Sequence, residues 1–396
     1  MDFTLGPEAE AFRAEARAWL AEHAAGPGGS GGPNGRAWER ELGAAGWIGL
    51  GWDGDYGNRR ATPAQQVAWG EEYARAGAPG RAGHIGENLL APTLLAHGTQ
   101  AQRDRFLPPI ARGEELWCQG YSEPDAGSDL AGIRTTAGRD TDGSYRVTGQ
   151  KIWTSLAQHA DFCFVLARTD PAAARHHGLS FLLVPMRQPG RVEVRPIRQL
   201  TGTAEFNEVF FDGALAPAEN LVGAEGDGWR VAMALLGYER GVSTLVQQIG
   251  FERELRDIVA HAVTSGAAAD PVLRDRIIRQ WAELKTMRWN ALRTLGTRGN
   301  PGTSGAPGAE DPGAPSVAKL LWGGWHQRLG ELAMAVSGPA AALGPTDWSE
   351  PEPYELDDRQ YSFLFSRADT IYGGSDEIQR TIIAERVLGL PKEPRV

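Results

Sequence analysis

Trp117-Cys-Gln-Gly-Tyr-Ser-Glu-Pro-Asp-Ala-Gly-Ser-Asp129 is answered further along the chain by Gly149-Gln-Lys-Ile-Trp-Thr-Ser155. In the first stretch Pro124 fixes one φ angle and Gly127 is free to take φ > 0, a combination that breaks a strand and turns successive N–H groups to one side. Such a concave backbone suits an anionic oxygen or a pyrophosphate, and the hydroxyls of Ser122 and Ser128 sit beside it. The second stretch offers the flat indole of Trp153 and the hydroxyl of Ser155. Residues i and i+2 of a strand share a face, so the pair suits a flat, nitrogen-rich ring such as a flavin. Taken alone, a Gly/Pro/Asp turn followed by a strand is more often only a turn, so the residues by themselves leave both readings open.

Bulk properties narrow the field. The chain has 396 residues, 41% of them hydrophobic, and a formal net charge of −10. That length allows two or three domains or one composite fold with a sizeable core. The acidic balance argues against nucleic acid or an anionic membrane as partner. Cys118 and Cys163 are the only cysteines; they form no disulfide framework and suit a reducing compartment. No apolar run reaches spanning length, and Met-Asp-Phe-Thr-Leu-Gly-Pro7 has neither a basic n-region nor an apolar h-region. The expectation is a cytoplasmic protein with no membrane segment.

The hydrophobic period changes twice along the chain. Residues 7 to 25, 36 to 45, 62 to 77, 88 to 97 and 100 to 111 carry helical spacing, with a Gly-rich linker at 26 to 35. Residues 1–115 are therefore expected to be mainly helical. Runs beginning at Tyr145, Asp161, Leu179, Val192 and Phe206 alternate or are β-branched and aromatic, separated by turn residues, so 116–222 is expected to be a compact antiparallel β domain. From Gly228 the helical period returns. One apolar helix is expected over Trp229–Phe251 and others at 252 to 263, 271 to 296, 316 to 338, 356 to 370 and 376 to 388, making 223–396 a helical bundle. The Gly/Pro-rich residues 299–315 read as a mobile loop. The fold class is α+β.

Other motifs carry less. Gly49-Leu-Gly51-Trp-Asp-Gly54 matches a dinucleotide-binding pattern but lacks a strand before it and a helix after it, so it reads as a Trp/Gly-rich turn. The His176-His177 pair in a loop is more often solvated than metal-bound.

Three segments in the same order and separation resemble the acyl-CoA dehydrogenase family: Tyr121-Ser-Glu-Pro-Asp-Ala-Gly-Ser-Asp129, Gly149-Gln-Lys-Ile-Trp-Thr-Ser155 and Ile371-Tyr-Gly-Gly-Ser-Asp-Glu-Ile-Gln-Arg380. The resemblance runs over nearly the whole chain. It implies a helical N-terminal domain, a middle β domain and a C-terminal four-helix-bundle-like domain, with FAD between the last two. It assigns Gln119, Tyr121 and Ser122 to the flavin ring edge, Gly127 and Ser128 to the pyrophosphate, with Ser128 also near substrate. Trp153 and Thr154 flank the isoalloxazine, and Ser155 lies near its N5. Ser375 and Glu377 match positions against the pyrophosphate and adenine half.

Dehydrogenation of a thioester needs a carboxylate in an apolar, water-poor place to take the α-proton. In many members it directly follows the tail Tyr; here that position is Gly373. A Glu and an Arg in the middle of an apolar helix, Val231-Ala-Met-Ala-Leu-Leu-Gly-Tyr-Glu239-Arg240, are costly unless paired or used. One branch, resembling isovaleryl-CoA dehydrogenase, places its base there, so Glu239 is the candidate base. The resemblance then implies that Gly373 vacates space and offers its N–H to the thioester carbonyl, that Arg240 faces the acyl carrier, and that Tyr238 and Tyr372 lie at the acyl pocket.

Two departures matter. Gly237 stands where many members have an Asp that holds pantetheine, and Ala267-Ala-Ala-Asp-Pro-Val-Leu-Arg-Asp-Arg276 lacks the family's Arg-x-x-Phe-Gly segment. The resemblance implies an acyl-CoA or acyl-carrier-protein thioester as substrate and a soluble acceptor such as an electron-transfer flavoprotein. It also implies a homodimer or homotetramer, with a heteromer as the alternative. The competing readings are a flavin-dependent monooxygenase on this fold and a subunit that only completes a heteromer's flavin site.

Overall fold

The computed structural model describes residues 5–24, 35–52, 55–239, 242–297, 313–344 and 356–392, without the side chains of 239, 242–246 and 294–297. The chain divides into two compact units. One holds Glu8–Arg198 with Ala204–Arg240; the other is built chiefly from Gly241 onward, with Gln199–Thr203.

The first unit opens with α1 (Pro7–His23), α2 (Gly35–Ala44), α3 (Pro63–Arg75), α4 (Ala91–His97) and α5 (Gln100–Ala111). α1 buries Ala9, Phe12, Ala16 and Leu20, the i, i+3/i+4 stripe of an amphipathic helix. That stripe packs with Trp38, Leu42, Trp47, Ile48 and Trp69, and the Trp47 and Trp69 rings stack at 4.3 Å. α3 and α5 both start in capping boxes, Thr62 with Gln65 and Thr99 with Gln102, which satisfy two orphan N–H groups at each end. A π-turn, Gly86–Leu90, precedes α4. The residues from Gly49 onward form a turn in which both Gly49 and Gly51 take positive φ, and Glu87 accepts from the Gly49 N–H at 2.8 Å.

Eight strands follow: β1 (Trp117–Gly120), β2 (Thr136–Arg139), β3 (Tyr145–Ser155), β4 (Phe162–Arg168), β5 (Leu179–Pro185), β6 (Val192–Ile197), β7 (Phe206–Ala216) and β8 (Leu221–Val222). They form one sheet in the order β6-β7-β3-β2-β4-β5-β8, with β1 against β4. The sheet is mainly antiparallel, as expected, with the exception that β1 and β2 each run parallel to β4. The chain leaves β1, makes a long loop and the β2–β3 hairpin, and only then returns as β4, a crossover long enough for parallel pairing. β1 and β2 themselves escaped the sequence reading: at four residues each they are too short to display a period of two. The two cysteines, distant in sequence, become register partners on β1 and β4 and are free and buried.

β4 and β5 are apolar apart from the terminal Arg168 and the buried Ser180, because both sheet faces are covered. Phe164, Leu166, Phe181 and Leu183 share one core with Tyr121 and with Val231, Ala232 and Leu235 of α6 (Gly228–Glu239). Cys163, Val165, Leu182 and Val184 face the other core with Val147 and Val209. α6 can start against β5 because Gly228 has no side chain: a Cβ there would lie 2.5 Å from the Ser180 backbone.

The second unit contains α7 (Val242–Thr264), α8 (Pro271–Thr297), α9 (Ala314–Ser337), α10 (Asp358–Phe365) and α11 (Asp376–Ile382). Phe251, Leu255 and Ile258 of α7, Leu284 of α8, and Trp325, Leu329 and Leu332 of α9 share its core. The expected helix over Trp229–Phe251 is described as α6 and α7, with 240 and 241 outside the described residues, and α7 absorbs the segment expected separately at 252 to 263. Residues 25–34 and 298–312, covering most of the expected linker and loop, also lie outside them. The last two expected helices are shorter: α10 passes into a 3-10 turn at Ser366 and α11 into a π-turn at Ile383.

One buried ion pair joins the loop after β1 to β3. Lys151 is fully buried, and its Nζ donates to Glu123 Oε1 at 2.8 Å and to the Tyr121 carbonyl at 3.0 Å. Removing one partner of such a pair strands a charge away from water. Lys151→Met is therefore expected to lower the unfolding free energy by about 3–5 kcal/mol in denaturant melts followed by tryptophan fluorescence, and adding Glu123→Gln should recover part of the loss. A Lys151→Met protein as stable as the parent would show that this tie is dispensable.

Candidate active site

The Tyr121–Asp129 loop is built by Glu123. Its N–H donates to the Ala126 carbonyl and the Ala126 N–H returns the bond, both at 3.0 Å, closing a tight turn over Pro124 and Asp125. Its carboxylate accepts from the backbone N–H groups of Arg134 at 2.6 Å and Thr135 at 2.9 Å, besides Lys151. Burial works against that carboxylate, but Lys151 and the hydrogen bonds from Thr135 and Arg134 outweigh it and hold its pKa below the ordinary value. Burial also lowers the pKa of Lys151, against the pull of Glu123. The left-handed Gly127 expected from the sequence is absent: Gly127 is not among the positive-φ glycines. The turn gets its reversal from the paired Glu123 and Ala126 groups instead. What Gly127 contributes is open space, since a Cβ there would meet nothing within 4 Å. Ser128 is exposed beside it and Ser122 is half-buried, its carbonyl accepting from the Ile152 N–H at 2.9 Å.

β3 breaks its alternation at the indole. Tyr145, Val147 and Lys151 point inward, so Trp153 would follow them; a register shift between Lys151 and Thr154 turns it out instead. Trp153 takes φ 59°, a left-handed conformation that costs a bulky residue about 1–3 kcal/mol and marks functional sites. The result is a tryptophan 56% exposed, edge-on to Phe206 at 6.3 Å. Thr154 is buried with its hydroxyl unpartnered, and Ser155 is half-buried. Gln119 lies on β1 opposite Phe164, and Tyr121 is 5% exposed in the core beneath the loop. The structure thus joins the loop to β3 at one junction: Lys151 and Ile152 bond the Tyr121 and Ser122 carbonyls, Trp153, Thr154 and Ser155 end that strand, and Gln119 lies on β1, which pairs with β4.

α6 belongs to this same unit. Its inner face shares a core with Tyr121, Tyr238 is 38% exposed near its end, and Glu239 is its last residue. The Glu239 side chain and Arg240 lie outside the described residues.

The tail candidates lie in the other unit. Gly373 and Gly374 take φ 63° and 84°, a double left-handed turn that suits glycine. Tyr372 is 37% exposed and donates to Asp369 Oδ1 at 2.5 Å. Ser375 caps α11 by accepting from the Ile378 N–H, and Glu377 is exposed on its first turn. Hydrogen bonding by Ser375 and its own backbone holds the Glu377 pKa below the usual range, its own backbone first.

Glu123 and Lys151, which shape the junction, were passed over in sequence. The signal was present: Lys151 shares the inward parity of Tyr145 and Val147, and an inward lysine needs a carboxylate. The junction fits a flavin: an exposed indole held in a strained turn, an orphaned hydroxyl next to it, and a loop whose glycine faces open space.

Comparison with known proteins bears on the chain as a whole. The acyl-CoA dehydrogenase N-terminal, middle and C-terminal domain models match residues 6–114, 118–214 and 226–388. The chain is 53% identical to acyl-CoA dehydrogenase IpdE1 of Mycobacterium tuberculosis over 98% of this chain and 99% of that protein. It is 40% identical to acyl-CoA dehydrogenase FadE34 of the same organism over 86% of this chain and 44% of that one. Among solved structures, the Tcur3481–Tcur3483 steroid ACAD superposes with a TM-score of 0.84 at 28% identity, covering 99% of this chain and 100% of that one. The ChsE4–ChsE5 complex from Mycobacterium tuberculosis does so at 0.80 and 30%, with 100% of both chains covered. A junction shaped for a flavin, helices before and after a β domain, and three domain matches in order lead to one conclusion: the chain belongs to the acyl-CoA dehydrogenase family of FAD-dependent oxidoreductases.

Proposed function

We propose that the protein dehydrogenates a bulky acyl-CoA thioester at its α,β bond, with Glu239 as the base. The observation that carries the reading is the combination of Gly373 at the tail position with a glutamate at the end of the apolar helix α6. The base role asks for a carboxylate whose affinity for the proton is raised by an apolar setting, and α6 supplies apolar residues on its Val231, Ala232 and Leu235 face. FAD, when bound, accepts the β-hydride. Trp153 offers its exposed face to the ring, Ser155 and Thr154 offer hydroxyls near it, and Ser128 with the open space at Gly127 leaves room for a phosphate arm. The Gly373 N–H, in the left-handed turn, is assigned as donor to the thioester carbonyl, where a fixed N–H stabilises developing negative charge. Arg240 is assigned to the acyl carrier, CoA in preference to a carrier protein.

The bulk of the acyl group is inferred from small residues. Gly237 replaces a side chain on α6, with nothing within 4 Å of its would-be Cβ, and Gly373 replaces one at the tail. The Tcur3481–Tcur3483 neighbour is described as a steroid ACAD, and a polycyclic acyl group is the class we propose here.

A second reading has its own support. The segment Ala267–Arg276 enters the 3-10 turn Ala267–Ala269 and the start of α8 without the Arg-x-x-Phe-Gly residues of the family, and both solved neighbours are named as pairs of components. We propose that a different subunit completes the adenine end of the flavin site.

Glu239→Gln should retain the yellow flavin spectrum and slow anaerobic bleaching by substrate by about 10²–10⁴-fold; undiminished bleaching would remove Glu239 as base. In the same titration, acyl-CoA esters with polycyclic acyl groups should reduce the parent flavin faster than linear esters of equal carbon number, and the reverse order would overturn the proposed class. Expressed alone, the chain should purify with well below one FAD per subunit and gain flavin on adding its partner. A stoichiometric yellow homo-oligomer would rule out the two-component reading.

A further inference from the structure

The second unit buries a charge cluster that the reaction outlined above does not use. His326 on α9 is 8% exposed at its side chain. Its Nδ1 lies 2.5 Å from Asp369 Oδ2 and its Nε2 2.8 Å from Glu254 Oε2 of α7. Ser362 of α10 stands 3.4 Å from Nε2, so Ser362, His326 and Asp369 fall in the order of a hydrolase triad. The chemistry differs. The Ser362 hydroxyl donates to Glu254 Oε2 at 2.9 Å, and Glu254 occupies the nitrogen that would serve as base. An imidazole with a carboxylate on each nitrogen must donate from both, which makes it a cation.

That cation is wired to the tail turn. Asp369, 1% exposed at its side chain, uses its second oxygen, Oδ1, to accept from the Tyr372 hydroxyl at 2.5 Å. Its backbone carbonyl accepts from Lys319 Nζ, and that ammonium lies 4.7 Å from the centre of the Tyr372 ring. The turn closes with the Asp376 N–H on the Thr370 carbonyl at 3.0 Å, while Gln379 donates to the carbonyls of Gly373 and Gly374.

We infer that His326 is a positioning residue: clamped between Glu254 and Asp369, it fixes the Asp369–Gly374 turn and so sets Tyr372 and Gly373 for the thioester. The inference rests on the function proposed above for those two residues. Among the described residues the groups facing the ring are Glu254 from α7, Lys319 from α9, Ser362 from α10, and Asp369 with Tyr372 from the turn. Burial pulls the imidazole pKa down, and hydrogen bonds and charge from Asp369 and Glu254 more than reverse this, taking it from 6.5 to about 9. A pKa raised in the folded state means that the clamp contributes fully below about 6.5 and is lost as pH rises through about 9. Above that, the buried Asp369 and the partly exposed Glu254 face a neutral ring, and Asp369 loses the partner that holds it toward Tyr372.

Two measurements test this. ¹⁵N-histidine NMR of the full chain should show one imidazole titrating near pH 9, and Tyr372→Phe should move that titration upward, because Asp369 loses a donor and holds its proton-bearing neighbour more strongly. This arm needs no turnover, so it stands even where no acyl-CoA reduces the flavin and the proposed function fails. With a reducing substrate, kcat/KM of the parent should fall through about pH 9, and His326→Gln should lose that inflection and sit about tenfold lower at pH 7. An unshifted imidazole in Tyr372→Phe, or the same inflection in parent and His326→Gln, overturns the inference. Should His326→Gln fail to fold, the Tyr372→Phe titration decides alone.

Discussion

An ammonium with no access to water holds the Tyr121–Asp129 loop to β3. Lys151 gives one hydrogen bond to Glu123 and another to the Tyr121 carbonyl, and Glu123 passes the restraint on to the backbone at Arg134 and Thr135. Three chain segments are thereby fixed to one buried charge pair. The geometry next to it is strained, with Trp153 left-handed in a bulge, and strain persists only where neighbours over-determine it. The buried pair supplies that over-determination two residues before the indole.

The second unit solves a similar problem with opposite chemistry. Here the buried cation is an imidazolium between two carboxylates, and the restrained segment is a glycine turn with no strain to oppose. Both devices bury a charge against the backbone segment they restrain. In each case the cost of stranding a charge away from water makes the local arrangement all-or-none.

Much of the architecture was legible. Helical stripes of α1, α3 and α5 and the apolar runs of β4 and β5 all declare themselves through local spacing. The short strands β1 and β2 did not, because four residues carry no period, and their parallel pairing with β4 depends on where the chain goes next. Candidate site residues are nominated by type, and the construction of the loop is not legible at that level. Gly127 suggested a left-handed nest, whereas a carboxylate two residues before Asp125 organises the turn.

The sequence by itself determined the helix–sheet–helix order, the absence of a carboxylate at Gly373, and the presence of one in an apolar helix at Glu239, since these are matters of residue type and hydrophobic period. Only the tertiary structure decided that Trp153 faces outward, that Lys151 and Glu123 meet, and that His326 sits between Glu254 and Asp369. Those outcomes rest on a register shift and on contacts between residues far apart in the chain, and burial gives such contacts their energy only once the fold has excluded water from them.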